Sequence, residues 1–246
     1  MKLIQTLSAR NRAFFEHRPA VIACIGDSVT HGCFEVFLNE QNKIDTVCRA
    51  SEAYPALLGN ELGRLFPFAQ PCILNAGVSG DNAVNGRKRL SRDVLFAQPD
   101  LVIVNFGLND SMNPDVEGGL TAYRAAMKGI FDDVLASGAE CVLLTPNAMC
   151  AYVSRSIENE FLRGIAKDVS RVQNEGILTR YVETAKSAAR AAGIPVADAY
   201  AVWQSLASAG VDTTAKLSNR INHPDRDGHL IFVNEIMRVL LQDFAI

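Results

Sequence analysis

The pattern that constrains this chain most is a short aliphatic run followed by a longer stretch of helical character, repeated five times. The runs Val21–Ile25, Cys72–Asn75, Leu101–Asn105, Cys141–Thr145 and Ile194–Val196 are strand-length and rich in aliphatic residues, so they read as strands. Glu52–Leu65, Ala83–Leu95, Thr121–Ala136, Asn159–Ala192 and Gly228–Leu241 read as helices. Gly164 and Gly176 interrupt the fourth of these, which predicts either two helices or one with a frayed start. Strands alternating with helices build a parallel sheet, because right-handed crossovers return each strand alongside an earlier one and cover both faces. The expected fold is α/β: a three-layer α/β/α sandwich around a five-stranded parallel sheet, flavodoxin-like, in a single domain spanning residues 1–246. Functional groups in such sheets gather beyond the carboxyl ends of the strands. Ser208–Arg226 carries neither periodicity and reads as an ordered surface loop feeding the last helix.

Composition narrows the class of partner. Hydrophobic residues make up 48% of the 246, enough to bury a sizeable core without disulfides or metals. With 24 basic against 27 acidic residues, the net charge of -3 gives no electrostatic reason to expect a nucleic acid or an anionic membrane. The densest basic run, Arg87-Lys88-Arg89, reads as a solvated helix face. No apolar run approaches the ~20 residues that cross a bilayer. The first residues lack the apolar core of a signal peptide, so a cytoplasmic location is expected. The six cysteines show no CxxC spacing, and Cys24, Cys72 and Cys141 fall inside strand-like runs, so buried free thiols are expected.

Four short polar segments interrupt this framework: Gly26-Asp27-Ser28, Asn75–Asp81, Phe106–Asp110 and Asn222-His223-Pro224. The first three follow predicted strands, and the last precedes the final helix. A serine between strand and helix serves either as a helix cap or as a nucleophile. The GxSxG nucleophile elbow is absent, since Thr30 stands where that motif needs glycine. GDNAVNGRKR lacks the glycine spacing and the lysine of a phosphate loop, and neither HExxH nor GxGxxG occurs, so no cofactor and no metal is expected.

Taken together, the order and spacing of the four segments resemble the SGNH or GDSL hydrolase family, whose blocks carry Ser, Gly, Asn and His in this sequence. The resemblance runs from Gly26 to Pro224. It implies Ser28 as nucleophile, His223 as base, and an oxyanion hole made by the backbone N–H groups of Ser28 and Gly80 and the side-chain amide of Asn109. The other histidines fit less well: His17 reads as a surface residue, His31 as a pocket wall or core residue, and His229 as part of the last helix. The fourth block departs from the family at Arg220, where an aspartate normally stands three residues before the histidine. Its place falls to Asp212, Asp225 or Asp227, to a backbone carbonyl near Asn219, or to no group at all in a Ser-His dyad. A carbonyl or a dyad is the favoured reading, since Asp225 and Asp227 also read as helix caps.

The expected activity is hydrolysis of a small acyl ester, an acetyl ester of a saccharide ahead of bulk lipid. The expected partner is a small-molecule ester, with no membrane span, and the sequence sets no oligomeric state. Two rivals share the fold: a non-catalytic carbohydrate- or acyl-binding module, and a nucleotide or flavin binder, for which the anion loop is missing.

Overall fold

Five strands form one parallel sheet in the order β4-β1-β5-β6-β7, where β1 is Val21–Gly26, β4 Cys72–Gly77, β5 Leu101–Asn105, β6 Glu140–Leu144 and β7 Val196–Ala197. The computed structural model describes residues 1–41 and 43–242; residue 42 and residues 243–246 lie outside the description. The central strand β5 is buried at every position, as are β1 and β6 beyond their first residues. Strands covered on both faces need continuous aliphatic runs rather than alternation, which is why they stand out in the sequence.

Two groups of helices surround the sheet. α4 (Ala83–Asp93), α5 (Val116–Ala136) and α7 (Ile177–Ala191) pack against one another in succession; α1 (Lys2–Arg12), α3 (Tyr54–Leu65) and α9 (Gly228–Leu241) form the second group. The long helical segment divides at Gly176, in the left-handed region at φ 72°, giving α6 (Glu160–Asn174) and α7. α5 begins five residues before its predicted start because Asp115 caps it, accepting the Gly118 N–H at 3.0 Å.

Three helices and a two-stranded ribbon lie outside the sequence expectation. α1 and α8 (Ala199–Ser208) are helices; α2 (Ser28–His31) is one turn; β2 (Cys33–Leu38) and β3 (Ile44–Cys48) form a separate antiparallel ribbon. Beyond the buried Cys33 and Phe34 the ribbon residues are partly or fully exposed, and their ladder shifts register between Cys33 and Val36, so neither continuous burial nor clean alternation marks them. The loop expected over Ser208–Arg226 is present in large part, held by an isolated bridge between Leu217 and Pro224. Two cysteines depart from the expected burial: Cys72, which opens the edge strand β4, and Cys48, which ends β3, are exposed.

Connectivity makes the switch point. The chain leaves β1 for β4 on one side, then crosses to β5 on the other, so the segments after β1, β4 and β5 emerge side by side. Arg89 ties this junction together from α4. It is 9% exposed, its Nε donates to Asp81 at 2.6 Å, and its two terminal nitrogens donate to the carbonyls of Ala76 at 2.6 Å and Gly26 at 3.0 Å. Only Arg87 and Lys88 of the basic run are solvated; Arg89 turns inward because a carboxylate and two strand-end carbonyls await it. Arg89→Met leaves Asp81 as an uncompensated buried charge, and its unfolding free energy in urea should fall by about 3–5 kcal/mol. A loss below about 1 kcal/mol would mean that the pair carries little of the junction.

Candidate active site

β1 ends where only glycine fits. A Cβ on Gly26 would lie 2.1 Å from the Thr30 hydroxyl and 2.5 Å from the Asn105 carbonyl, so the bare backbone lets α2 fold back over the strand ends. Asp27, not Ser28, caps α2: its Oδ1 accepts the Val29 N–H at 2.9 Å. Burial raises the Asp27 carboxyl to about 7, with Asp110 and Asp81 adding negative charge nearby. Ser28 is thereby freed from capping, and its N–H, first in the helix, has no intrahelical acceptor.

The second and third blocks arrive from β4 and β5. Gly80 holds φ at 77°, and beyond its own chain neighbours no atom lies within 4 Å of where its side chain would begin. Asn109 donates one amide hydrogen to the Asp81 carbonyl at 2.7 Å, which fixes the carboxamide and leaves its second N–H available.

His223 reaches this point from the loop before α9. The Asn219 Oδ1 accepts three successive N–H groups, from Ile221 and Asn222 at 2.9 Å and from His223 at 3.0 Å, and so folds the loop around itself. The segment after β6 anchors it: Asn147 donates to the Asn222 carbonyl at 2.9 Å, and the Cys150 N–H to the Ile221 carbonyl at 2.8 Å. The imidazole is then held at both ends, with Nε2 2.9 Å from the Ser28 Oγ and Nδ1 2.9 Å from the Phe34 carbonyl oxygen. A carbonyl only accepts, so Nδ1 carries the proton and Nε2 accepts from the Ser28 hydroxyl. Burial lowers the His223 pKa below 6.5, with the Phe34 carbonyl and the Glu35 charge opposing it.

The group that orients His223 differs from each of the candidates by position. Asp212 accepts from the Tyr152 hydroxyl at 2.6 Å and the Ala215 N–H at 3.0 Å. Asp225 accepts the Gly228 N–H at 2.7 Å, and the Asp227 side chain makes no capping bond. Arg220 sits in the left-handed region at φ 58° and donates to carbonyls of its own loop, Leu217 at 3.1 Å and Ala215. A backbone carbonyl does the orienting, as favoured, but it comes from Phe34 on the ribbon and not from the neighbourhood of Asn219. No sequence pattern marks a carbonyl; the only available signal was a ribbon that its irregular ladder conceals.

The remaining histidines are elsewhere. His17 is exposed. His229 is buried in the core, accepts the Tyr54 N–H at 3.1 Å, and is pushed down to about 3 by burial. His31 does not line the cleft and stands beside Cys33 and Cys48, three donors close enough to hold a metal. The cleft itself has a volume of about 260 Å³; Ser28, Gly80, Asn109 and His223 all line it, against an apolar wall that includes Val36, Ile44 and Ile165. A second depression of about 320 Å³ continues from it across Val36, Leu162, Asn219 and Ile221 and adds Glu35, Ser156, Ser218 and Arg220.

A sequence model of the GDSL-like lipase/acylhydrolase family matches residues 24–231. The chain belongs to this family. GDSL-like membership makes it a carboxylic ester hydrolase. No curated protein matches the chain. Among solved structures, the acetylxylan esterase Axe2 of Geobacillus stearothermophilus is similar at 18% identity and TM-score 0.65, over 89% of this chain and 93% of that one. A lipase/acylhydrolase of Enterococcus faecalis has 19% identity and TM-score 0.64, over 91% and 96% of the two chains. LAE5, an alpha/beta hydrolase from the metagenome of Lake Arreo in Spain, has 19% identity and TM-score 0.64, over 89% and 95%. These likenesses show that the GDSL-like fold is shared. Among the described residues, no helix is long and apolar enough to cross a membrane.

The His223 geometry has a direct spectroscopic consequence. Nitrogen NMR at pH 7 should find the ring neutral with its proton on Nδ1, titrating with a midpoint below 6.5. A proton on Nε2 would contradict the Phe34 assignment, and a midpoint above 6.5 would contradict burial as the dominant influence on the ring.

Proposed function

We propose that the chain cleaves short acyl esters of a polar alcohol, an acetylated saccharide in the first instance, with Ser28 as nucleophile, His223 as general base and acid, and Ser28, Gly80 and Asn109 as oxyanion donors. The observation that carries this reading is the His223 ring held between the Phe34 carbonyl and the Ser28 hydroxyl, at 2.9 Å on each side. Nε2 takes the hydroxyl proton as Oγ attacks the ester carbon. The carbonyl oxygen, now negative, meets the N–H groups of Ser28 and Gly80 and the free amide hydrogen of Asn109. Collapse expels the alcohol, which receives the proton from the imidazolium. Water then attacks the acyl-serine through the same base and returns Ser28 to its starting state.

Size and polarity support the substrate class. The cleft at Ser28 is small and apolar on one wall, which suits a short acyl group; the adjoining depression presents Glu35, Ser156, Ser218 and Arg220, which suits a hydroxylated alcohol. The structural likeness to an acetylxylan esterase agrees with this choice.

The test is hydrolysis of p-nitrophenyl acetate, butyrate and octanoate, beside an acetylated xylo-oligosaccharide. The acetate kcat/KM should exceed that of octanoate by at least about tenfold, since a longer acyl chain would extend past the apolar wall into the depression lined by Glu35, Ser156, Ser218 and Arg220. Ser28→Ala should lose at least about 10³ in kcat and Asn109→Ala about 10²–10³. In the parent, kcat/KM should rise with pH through a midpoint below 6.5, because the lowered His223 pKa keeps the base form present in more acid solution. Turnover surviving Ser28→Ala would remove the serine from its role, and a preference for octanoate would overturn the short-acyl assignment.

A further inference from the structure

The ribbon that lends the Phe34 carbonyl also gathers three soft donors that ester hydrolysis does not use. Cys33 opens β2 and Cys48 closes β3; the two are opposed in the ladder, with sulfurs 3.3 Å apart. His31 ends α2, and an imidazole nitrogen joins the two sulfurs so that all three donor atoms lie within 4.8 Å of one another. The backbone fixes this meeting. Gly32 turns through the left-handed region at φ 98°, and its carbonyl accepts the Arg49 N–H at 2.7 Å, immediately beside the cysteine pair. Cys33 is buried and Cys48 exposed, which leaves one open side, while the buried Nδ1 of His31 has no hydrogen-bond partner.

We propose that His31, Cys33 and Cys48 form a three-ligand site for a thiophilic cation, zinc above all, with water as its fourth ligand. Two thiolates and an imidazole suit zinc and reject magnesium or calcium, which take oxygen ligands. Zinc–sulfur bonds of about 2.3 Å at the tetrahedral angle put two sulfurs about 3.8 Å apart, roughly half an ångström wider than here. A disulfide at about 2.05 Å would need a closure of more than an ångström, so metal binding asks for the smaller movement. Thr46 Oγ1, 3.6 Å from the Cys33 sulfur and 3.7 Å from that of Cys48, supplies one hydroxyl hydrogen that either thiolate can accept. Thr46 also lines the cleft, so the metal sits behind the cleft wall and takes no ligand from Ser28 or His223.

Cobalt(II) titration of the fully reduced protein reads the site directly. The expected result is thiolate-to-cobalt charge-transfer absorption with tetrahedral d–d bands, saturating at one equivalent and displaced by zinc. Cys48→Ser and His31→Gln should each weaken zinc at least about tenfold, the lower bound set by loss of a mere outer-shell partner. Cys72→Ser, an exposed thiol on β4, should leave the titration unchanged, and so should Ser28→Ala, which separates this site from the hydrolytic one. Circular dichroism verifies that the exposed Cys48→Ser variant is folded. The proposal is overturned by absence of the thiolate band in reduced protein, by its persistence in Cys48→Ser, or by a Cys33–Cys48 disulfide that withstands reductant in place of metal uptake.

Discussion

The site depends on one imidazole being held at both nitrogens. A carbonyl in place of the usual carboxylate still selects the tautomer, because it can only accept, but it offers a dipole where an aspartate would offer a full charge. In the proposed mechanism an imidazolium at His223 would therefore receive less stabilisation than in a complete triad. Burial lowers the ring's basicity further, and the Glu35 charge acts in the opposite direction. What the arrangement retains is geometry, since the Phe34 carbonyl belongs to a residue that is itself clamped. The Arg226 guanidinium lies 4.3 Å from the Phe34 ring centre and is ion-paired to Glu35 and Glu52, while the His229 ring packs 5.0 Å away.

That clamp gives the buried histidine in α9 and the arginine before it a shared purpose. His229 is neutral across the working range of pH because burial holds it far down, and it accepts the Tyr54 N–H at the start of α3. Arg226 joins the ribbon to the segment leading into α9. Residues flanking His223 in sequence thus brace the strand that orients it, and the loop closes on its own support.

Sheet topology accounts for the other three groups. β1 lies between β4 and β5, so the chain direction alone delivers Ser28, Gly80 and Asn109 to adjacent places. Arg89 then locks the ends of β1 and β4 to the Asp81 carboxylate, and the Asp81 carbonyl in turn holds the Asn109 amide. One buried guanidinium therefore bears on Asn109 through Asp81 and on the end of β1 from which Ser28 follows.

Much of this was legible in the sequence, and for a definite reason. Strands buried on both faces require unbroken aliphatic runs, so β1, β5 and β6 declare themselves; Gly-Asp-Ser and Gly-Leu-Asn-Asp follow two of them, and Asn-His-Pro precedes the last helix, with residues that a core would reject. The inward turn of Arg89, the exposure of Cys72, the ribbon β2–β3 and helix α8 were not legible, because burial at an edge or junction depends on neighbours distant in sequence. Composition and order along the chain determined a parallel α/β sheet and which polar side chains its strand ends carry to one place. Only the tertiary structure decided what aims the histidine, because the partner is a main-chain carbonyl, a group every residue possesses and no sequence can single out.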